Sequence, residues 1–349
     1  GKRSRSTMFS PSLDTSRPWI AAALSAVALG ALADSSVTTQ RTVTPLGDGV
    51  FVIRHADAPD SNPQGNTTVI IGSRDVLVVD SGYLPSSARE DIAQIRRWTD
   101  KPVRYVVNTH WHPDHQRGNA AYADAFPGIA IIAHPETARL MVYETGNLDR
   151  YPRRLRAMQE SLDKGVGADG KPLDAAQKRE LAETVAGRSR VAEELQRSRL
   201  QRPTLRHSGT GDTRGDVWAY LPREQILVTG DVVVAPVPYF FAGYPSDLAD
   251  TLRHLLQLEV KAVVPGHGDV MRDKAYMRAV LEMMDAIIGQ VHAAVVRRGS
   301  LSARLEDVRK EIDVARYRQQ FAGDDPNNQE YFDQSIEGLI RNAFHQAPK

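Results

Sequence analysis

The chain has no cysteine among its 349 residues. Disulfides, thiolate metal sites and cysteine nucleophiles are excluded, so any chemistry must come from imidazoles, carboxylates, hydroxyls and bound metal. Near the N-terminus it also lacks an apolar run as long as the roughly 20 residues a membrane span needs. Residues 19–33 come nearest, preceded by Lys2, Arg3, Arg5 and Arg17 and ending in Ala31-Leu32-Ala33. A basic start, a short apolar run and a small-x-small site read as a signal peptide over residues 1–33, cleaved before Asp34. Export to a bacterial periplasm is the expectation, with an uncleaved anchor as the competing reading. No cysteine follows the run, which excludes a lipoprotein. An excess of charge is missing too: 44 basic residues face 43 acidic ones, for a net +1. The first 33 residues hold four basic residues and one acidic residue, Asp14, so the chain without them stands at −2. Such a surface does not attract a polyanion, and nucleic acid is not an expected partner.

The composition, 41% hydrophobic and 25% charged, supports a sizeable core. The length fits one large domain or two small ones. The densest chemistry is Asn108-Thr109-His110-Trp111-His112-Pro113-Asp114-His115, directly after the apolar run Val103–Val107, which reads as a buried strand. Three imidazoles and a carboxylate within six residues are ligands that borderline divalent cations such as zinc prefer. His110 and His112 flank a single residue, so both can point to one side and chelate one ion. Asp114 and His115 follow a proline-forced bend and can face a second position beside it. The segment is read as a metal site.

His110-Trp111-His112-Pro113-Asp114-His115 resembles the H-x-H-x-D-H signature of the metallo-β-lactamase superfamily. That resemblance implies an αββα sandwich, an α+β fold in which two central mixed sheets are flanked by helices and the metal ligands lie on loops along one edge. Residues 34–349 would form this hydrolase domain. Other pieces in matching order extend the likeness from about residue 40 onward. Residues 41–79 read as a β-meander ending in Asp80-Ser81-Gly82, where the family carries an Asp that supports the metal loop from behind. A helix is expected from Glu90 to Trp98, another from Gly118 to Phe126, and a strand from Ile129 to Ala133 ending at His134, read as structural or pocket-lining. Residues 217–221 and 225–231 read as strands, the second ending in Gly230-Asp231. Residues 248–258 read as a helix, and residues 261–268 as a strand ending in the family's Pro265-Gly266-His267-Gly268 turn. The tail from Met271 to Gln346 is helical in pattern and is expected to cover the outer face of one sheet.

Residues 135–202 depart from a compact sandwich. They are helical in pattern, broken by a glycine-rich stretch at residues 165–172, with Asp174 as an N-cap and Leu181, Val185, Val191 and Leu195 as an apolar stripe. This insertion reads either as a lid over the metal edge or as an outer hairpin or dimer contact, the latter implying a homo-oligomer.

By resemblance, His110 and His112 hold a first metal; Asp114, His115 and His267 hold a second; Asp231 bridges both. The cofactor implied is two Zn²⁺, with Mn²⁺ or iron as alternatives. Metal-activated hydroxide would attack a small ester, lactone, thioester or amide, β-lactams included, and Asp114 would orient it. One position departs from the family: the turn that normally brings a third His to the first metal has Asp212 here, in Gly209-Thr210-Gly211-Asp212-Thr213-Arg214-Gly215-Asp216. Asp212 remains an acceptable ligand, and His207 is the other residue within reach in sequence. A weakened first site opens the further reading of a binding protein without catalysis, and the resemblance also admits an iron-dependent redox enzyme, since fold alone does not choose between these activities. Residues 236–241, Pro-Val-Pro-Tyr-Phe-Phe, are expected to line the pocket with aromatics.

Overall fold

The computed structural model describes residues 40–146, 150–197, 213, 215–241, 243–300 and 302–347. The signal-peptide expectation, Asp212 and His207 all lie outside the described residues. Four strands open the fold: β1 (Arg41–Gly47), β2 (Val50–His55), β3 (Thr67–Ile71) and β4 (Val76–Val79). They pair antiparallel in sequence order, β1–β2 and β3–β4 through short turns and β2–β3 through the longer loop of residues 56–66. Helix α1 (Pro85–Trp98) then crosses over to β5 (Val103–Val107), which lies parallel to β4. The one-turn α2 (Pro113–Gln116), α3 (Asn119–Ala125) and β6 (Ala130–Ile132) complete a six-stranded sheet in the order β1-β2-β3-β4-β5-β6.

The inserted helices are α4 (Pro135–Gly146), α5 (Arg150–Lys164) and α6 (Ala175–Arg197). A second sheet follows, β7 (Ala219–Leu221), β8 (Ile226–Val234) and β9 (Ala262–His267), with α7 (Pro245–Leu255) crossing from β8 to β9. Every residue of β8 is buried, which explains its nearly unbroken apolar sequence between two covered faces. The tail supplies α8 (Ala275–Arg298), α9 (Leu305–Arg309), α10 (Ala315–Ala322) and α11 (Pro326–Gln346).

Three apolar layers show how the sheets stack. Val50, Val52 and Val79 of the first sheet meet Ile226, Val228, Ala262 and Val264 of the second. Ile53, Val76, Val78 and Val106 face the opposite way and bury Ile92, Ile95 and Tyr122 of α1 and α3. The period of two in β2 and β4 assigns alternate residues to these two layers. Leu227 and Val263 face away from the first sheet, against Met277, Met284, Ile287 and Leu339 of the tail and Leu252 of α7. The result is the αββα sandwich, with the tail on the outer face of the second sheet as expected. By length and composition α8 could cross a membrane. Its apolar side, from Met277 through Ile287 to Val295, is instead buried in this core.

Some boundaries differ from the sequence reading. Helix α1 begins at Pro85, five residues before Glu90. Pro85 suits the first helical position, but Leu84 offers no side-chain cap. Glu194 of α6 caps it instead, accepting from the Ser86 amide and, at 3.0 Å, from the Ser86 hydroxyl. Strand β8 runs through Gly230-Asp231 to Val234 rather than stopping there. In the insertion, Asp174 and Gln177 form a reciprocal capping box at the start of α6, at 2.9 and 3.0 Å.

Candidate metal centre

The candidate ligands come from three strands that meet on one edge of the sandwich: the segment after β5, the middle of β8 and the end of β9, with Asp80 behind them at the end of β4. Asp80 follows β4 with φ of 59°, in the left-handed region a non-glycine residue adopts only when its surroundings hold it there. Its Oδ1 accepts from the Thr109 amide at 2.8 Å and its Oδ2 from the Thr109 hydroxyl at 2.7 Å. That hydroxyl has spent its proton on Asp80, so at 3.0 Å it can only accept from His110 Nδ1. The His110 lone pair is thereby placed on Nε2. Asp80 Oδ2 also lies 2.8 Å from His115 Nδ1 and orients that ring in the same way. The position given to Asp80 behind the metal loop agrees with these contacts.

Two groups of ligand atoms result. His110, His112 and Asp231 form one, and Asp114, His115 and His267 the other, with the ligand atoms in each within 4.8 Å of one another. His110 Nε2 lies 2.8 Å from His112 Nδ1, and His115 Nε2 lies 3.1 Å from His267 Nε2. Asp231 faces both groups. Its Oδ2 is 3.5 Å from His110 Nε2, and its Oδ1 is 3.2 Å from His115 Nε2 and 3.6 Å from His267 Nε2. Asp114 Oδ2 lies 3.0 Å from His267 Nε2. Six of the seven ligand positions read from the sequence thus converge; the seventh, Asp212, lies outside the described residues. His134 does not join them: its Nδ1 accepts from the Glu136 amide at 3.1 Å at the start of α4.

Asp231, 7% exposed, is cradled by Gly266, where a Cβ would stand 2.0 Å from Asp231 Oδ1. That oxygen faces only ring nitrogens, His115 Nε2 at 3.2 Å and His267 Nε2 at 3.6 Å, and makes no well-directed hydrogen bond, which is costly for a buried carboxylate. Four imidazoles with ring nitrogens turned inward and two carboxylates, one of them Asp231, suit a divalent cation pair. The electrostatics agree. Burial, then the facing His115, holds the His110 imidazole well below its ordinary range, so it is neutral. Burial disfavours the charged forms of His115 and His267, but the carboxylates of Asp231 and Asp114 outweigh it and raise both. Burial likewise opposes ionisation of Asp231 and Asp114, and the adjacent imidazoles overcome it, keeping both carboxylates charged. The edge is therefore a cluster of neighbouring charges, and among the described residues no Lys or Arg pairs with Asp114 or Asp231, only the site's own histidines.

A cavity of about 420 Å³ opens over these groups. His112, Asp114, Asp231 and His267 form its floor, and Val234, Pro236, Val237 and Tyr239 form one wall; of the aromatics expected there from residues 236–241, Tyr239 lines it, whereas Phe240 packs into the tail core. The rest of the lip was not foreseen: Asn328 and Tyr331 of α11, with Asp57 and Pro63 of the β2–β3 loop. Tyr239, Phe241 and Tyr331 make a chain of edge-on rings with centroids 4.9 and 5.7 Å apart. No motif marks Asn328 or Tyr331, and only their place on the first turns of a helix ending over the cleft brings them in. None of the described residues of the insertion lines this cavity, so the geometry does not favour the lid reading. Past His267 the cleft continues into a second chamber of about 680 Å³, which Arg41, Arg54 and His55 face.

Comparison with known proteins places this edge in a family. The model of the metallo-beta-lactamase superfamily matches residues 61–267, from the β2–β3 loop to the last histidine of the site. A linear primary-alkylsulfatase of Pseudomonas sp. (strain ATCC 19151) is 25% identical over 248 residues, which are 64% of this chain and 45% of that protein. The lactamase-like protein aptB of Emericella nidulans is 31% identical over 86 residues, 24% of this chain and 28% of that protein. The chain thus spans less than half the length of these curated relatives. Among solved structures, the metallo-beta-lactamase from Pontibacter korlensis is 17% identical with a TM-score of 0.49, covering 70% of this chain and 99% of that one. VMB-1 is 15% identical, also at 0.49, over 72% and 99%. Since the family model spans more than half of the sequence and takes in every strand end that carries a described ligand position, the chain belongs to the metallo-beta-lactamase superfamily.

Proposed function

We propose that the protein is a metal-dependent hydrolase acting on a small, partly apolar ester, with His110, His112 and Asp231 holding one divalent cation and Asp114, His115, His267 and Asp231 a second. The observation that carries this reading is Asp231, one carboxylate with an oxygen toward each group of imidazoles and no other partner for Oδ1. Zinc is the cation this donor set suits best. Bound there, a cation pair supplies Lewis acidity and an activated water at neutral pH. The chain's own residues do the rest. Asp114, kept ionised by His115 and His267, accepts a hydrogen bond from the attacking water and aims it. Asp80 and Thr109 keep the His110 and His115 rings in one tautomer and orientation. Val234, Pro236, Val237 and Tyr239 exclude bulk water and receive the apolar arm of the substrate.

Carboxylic esters, lactones, thioesters and β-lactams fit this chemistry. The alkylsulfatase relative adds sulfate esters, in which an anionic group and an apolar arm would meet the floor and the wall respectively. Elemental analysis of protein reconstituted with zinc should find between one and two ions per chain, and a chromogenic panel of these esters should show turnover. Asp231→Asn should lose both metal and turnover. A parent chain that takes up no metal, or an Asp231→Asn variant that keeps both properties, would end the hypothesis.

A further inference from the structure

Asp60 is a buried carboxylate outside the metal centre, at 4% exposure in the loop between β2 and β3. Its Oδ2 accepts from the Tyr83 hydroxyl at 2.9 Å and from the Tyr151 hydroxyl at 2.7 Å. The Asn62 amide donates to Oδ1 at 3.3 Å. Tyr83 follows β4, whereas Tyr151 belongs to α5 of the insertion. Burial and the bond to Asp60 push both phenols above their ordinary range, so each remains a protonated donor. A carboxylate removed from water needs such donors, and losing one leaves it short of a partner it cannot replace.

The same loop is stitched to the metal edge. Asp57 and Pro63 line the cavity. The Gly65 amide donates to the carbonyl of Asp114 at 3.1 Å, and the Asn66 amide to the carbonyl of Gly266 at 2.8 Å. The Asn66 side chain adds bonds of 2.9 Å to the carbonyls of Pro265 and Gly268, on either side of His267. Between these anchors Ser61 holds a φ of 62°, a conformation that persists only where neighbours over-determine it. On the far side, Val191 and Leu195 of α6 pack with Ala58, Tyr83 and Leu84. One face of the loop touches the insertion and the other backs the ligands.

We propose that the insertion braces the lip of the cavity: Tyr151, acting through Asp60, is a positioning residue that sets the β2–β3 loop and with it the fit of the substrate. This rests on the hydrolase reading, and Tyr151 itself touches neither substrate nor ligand. The test is Tyr151→Phe in the full chain, which removes one hydroxyl and keeps the ring. KM should rise roughly threefold to tenfold, a fraction of what a hydrogen bond to a charged group is worth, while kcat stays within about twofold. Amide hydrogen exchange at residues 57–63 should quicken. Unchanged exchange there, or a loss of thermal stability with KM unmoved, would overturn the brace. If the parent hydrolyses nothing, the proposed function fails while the exchange measurement still decides this inference.

Discussion

The chain adds helices to the sandwich in two places, and opposite means hold them. The tail, α8 to α11, is a wedge of apolar side chains: Met277, Met284, Ile287, Val291 and Leu339 are fully buried against the second sheet. The insertion buries little of this kind. Helices α5 and α6 face each other across a groove lined by Met158, Leu173 and Leu181, and meet the sandwich through Val191, Leu195 and a few polar bonds. Those bonds are specific ones, Glu194 on the start of α1 and Tyr151 on Asp60. Apolar burial is non-directional and scales with area, so the tail contributes stability. A buried hydrogen bond adds little net energy but fixes direction, so the insertion contributes position. The tail nevertheless reaches the cleft, through Asn328 and Tyr331, and no described residue of the insertion does.

Leucine-to-alanine substitutions should show the contrast at its largest. Leu339 in α11 is 0% exposed and enclosed by the tail core, whereas Leu195 in α6 is 8% exposed in a small cluster near the surface. Leu339→Ala should cost about 3–5 kcal/mol and Leu195→Ala about 2 kcal/mol or less, because a shallow site collapses around the missing atoms. Denaturant titration of both variants measures the difference. Equal losses would break the distinction between a load carried by area and one carried by a few contacts.

Each addition also has one helical glycine at a close approach, which makes a matched pair. A Cβ on Gly338 of α11 would stand 2.6 Å from the Phe240 carbonyl oxygen, and one on Gly187 of α6 only 1.8 Å from that of Pro59. Alanine in a helix interior is ordinarily favoured over glycine by about 0.5–1 kcal/mol. Here a backbone oxygen must move, and overpacking of this kind costs about 1–3 kcal/mol, so both substitutions should destabilise. Gly338→Ala should disturb the wall around Tyr239, and Gly187→Ala the loop around Asp60. A more stable Gly187→Ala protein would mean that α6 does not press on the loop.

Glu194 comes next. Glu194→Ala removes the cap of α1 and should cost about 1–2 kcal/mol, in the range of other lost caps. Glu194→Gln keeps an oxygen for the Ser86 amide and should recover part of that loss. Because Glu194 lies away from the cleft, kcat should hold in both, and a fall in kcat would show that the insertion reaches the chemistry as well as the lip.

What could be read from the sequence divides along the same line. The convergence of His110 to His115, Asp231 and His267 was legible because each lies in or just past an apolar strand, and ligand chemistry in a short span leaves few other uses for those residues. The tail's place over the second sheet was legible because periodic apolar residues must be covered. The start of α1 at Pro85 was not, since its cap is Glu194, 108 residues beyond the Ser86 it bonds. Asp60 with its two tyrosines, and Asn328 and Tyr331 at the cleft, were also hidden. Each is an ordinary polar or aromatic residue whose role depends on a partner brought close only by the fold. Asp212 remains a sequence expectation, outside the described residues.

The smallest effect expected is also the sharpest on function. Tyr331 is 37% exposed at the lip of the cavity, with its ring 5.7 Å from that of Phe241. Removing the ring takes away an apolar contact surface but no ligand and little core, so stability should change by about 0.5 kcal/mol or less. What it should change is the reward for a longer apolar arm, worth about 0.8 kcal/mol for each methylene fully buried. In a homologous ester series, the parent should then gain affinity with each added methylene until the wall is filled, and Tyr331→Ala should flatten that gain. KM for the longest or arylated esters should rise roughly threefold to tenfold, while acetate esters stay within about twofold. Tyr151→Phe should instead raise KM for short and long esters alike, because it moves a lip that every substrate meets. Two variants in two additions would thus leave different marks, one dependent on arm length and one uniform. If Tyr331→Ala also shifts all substrates equally, α11 merely shapes the mouth, and the functional difference drawn between tail and insertion does not hold.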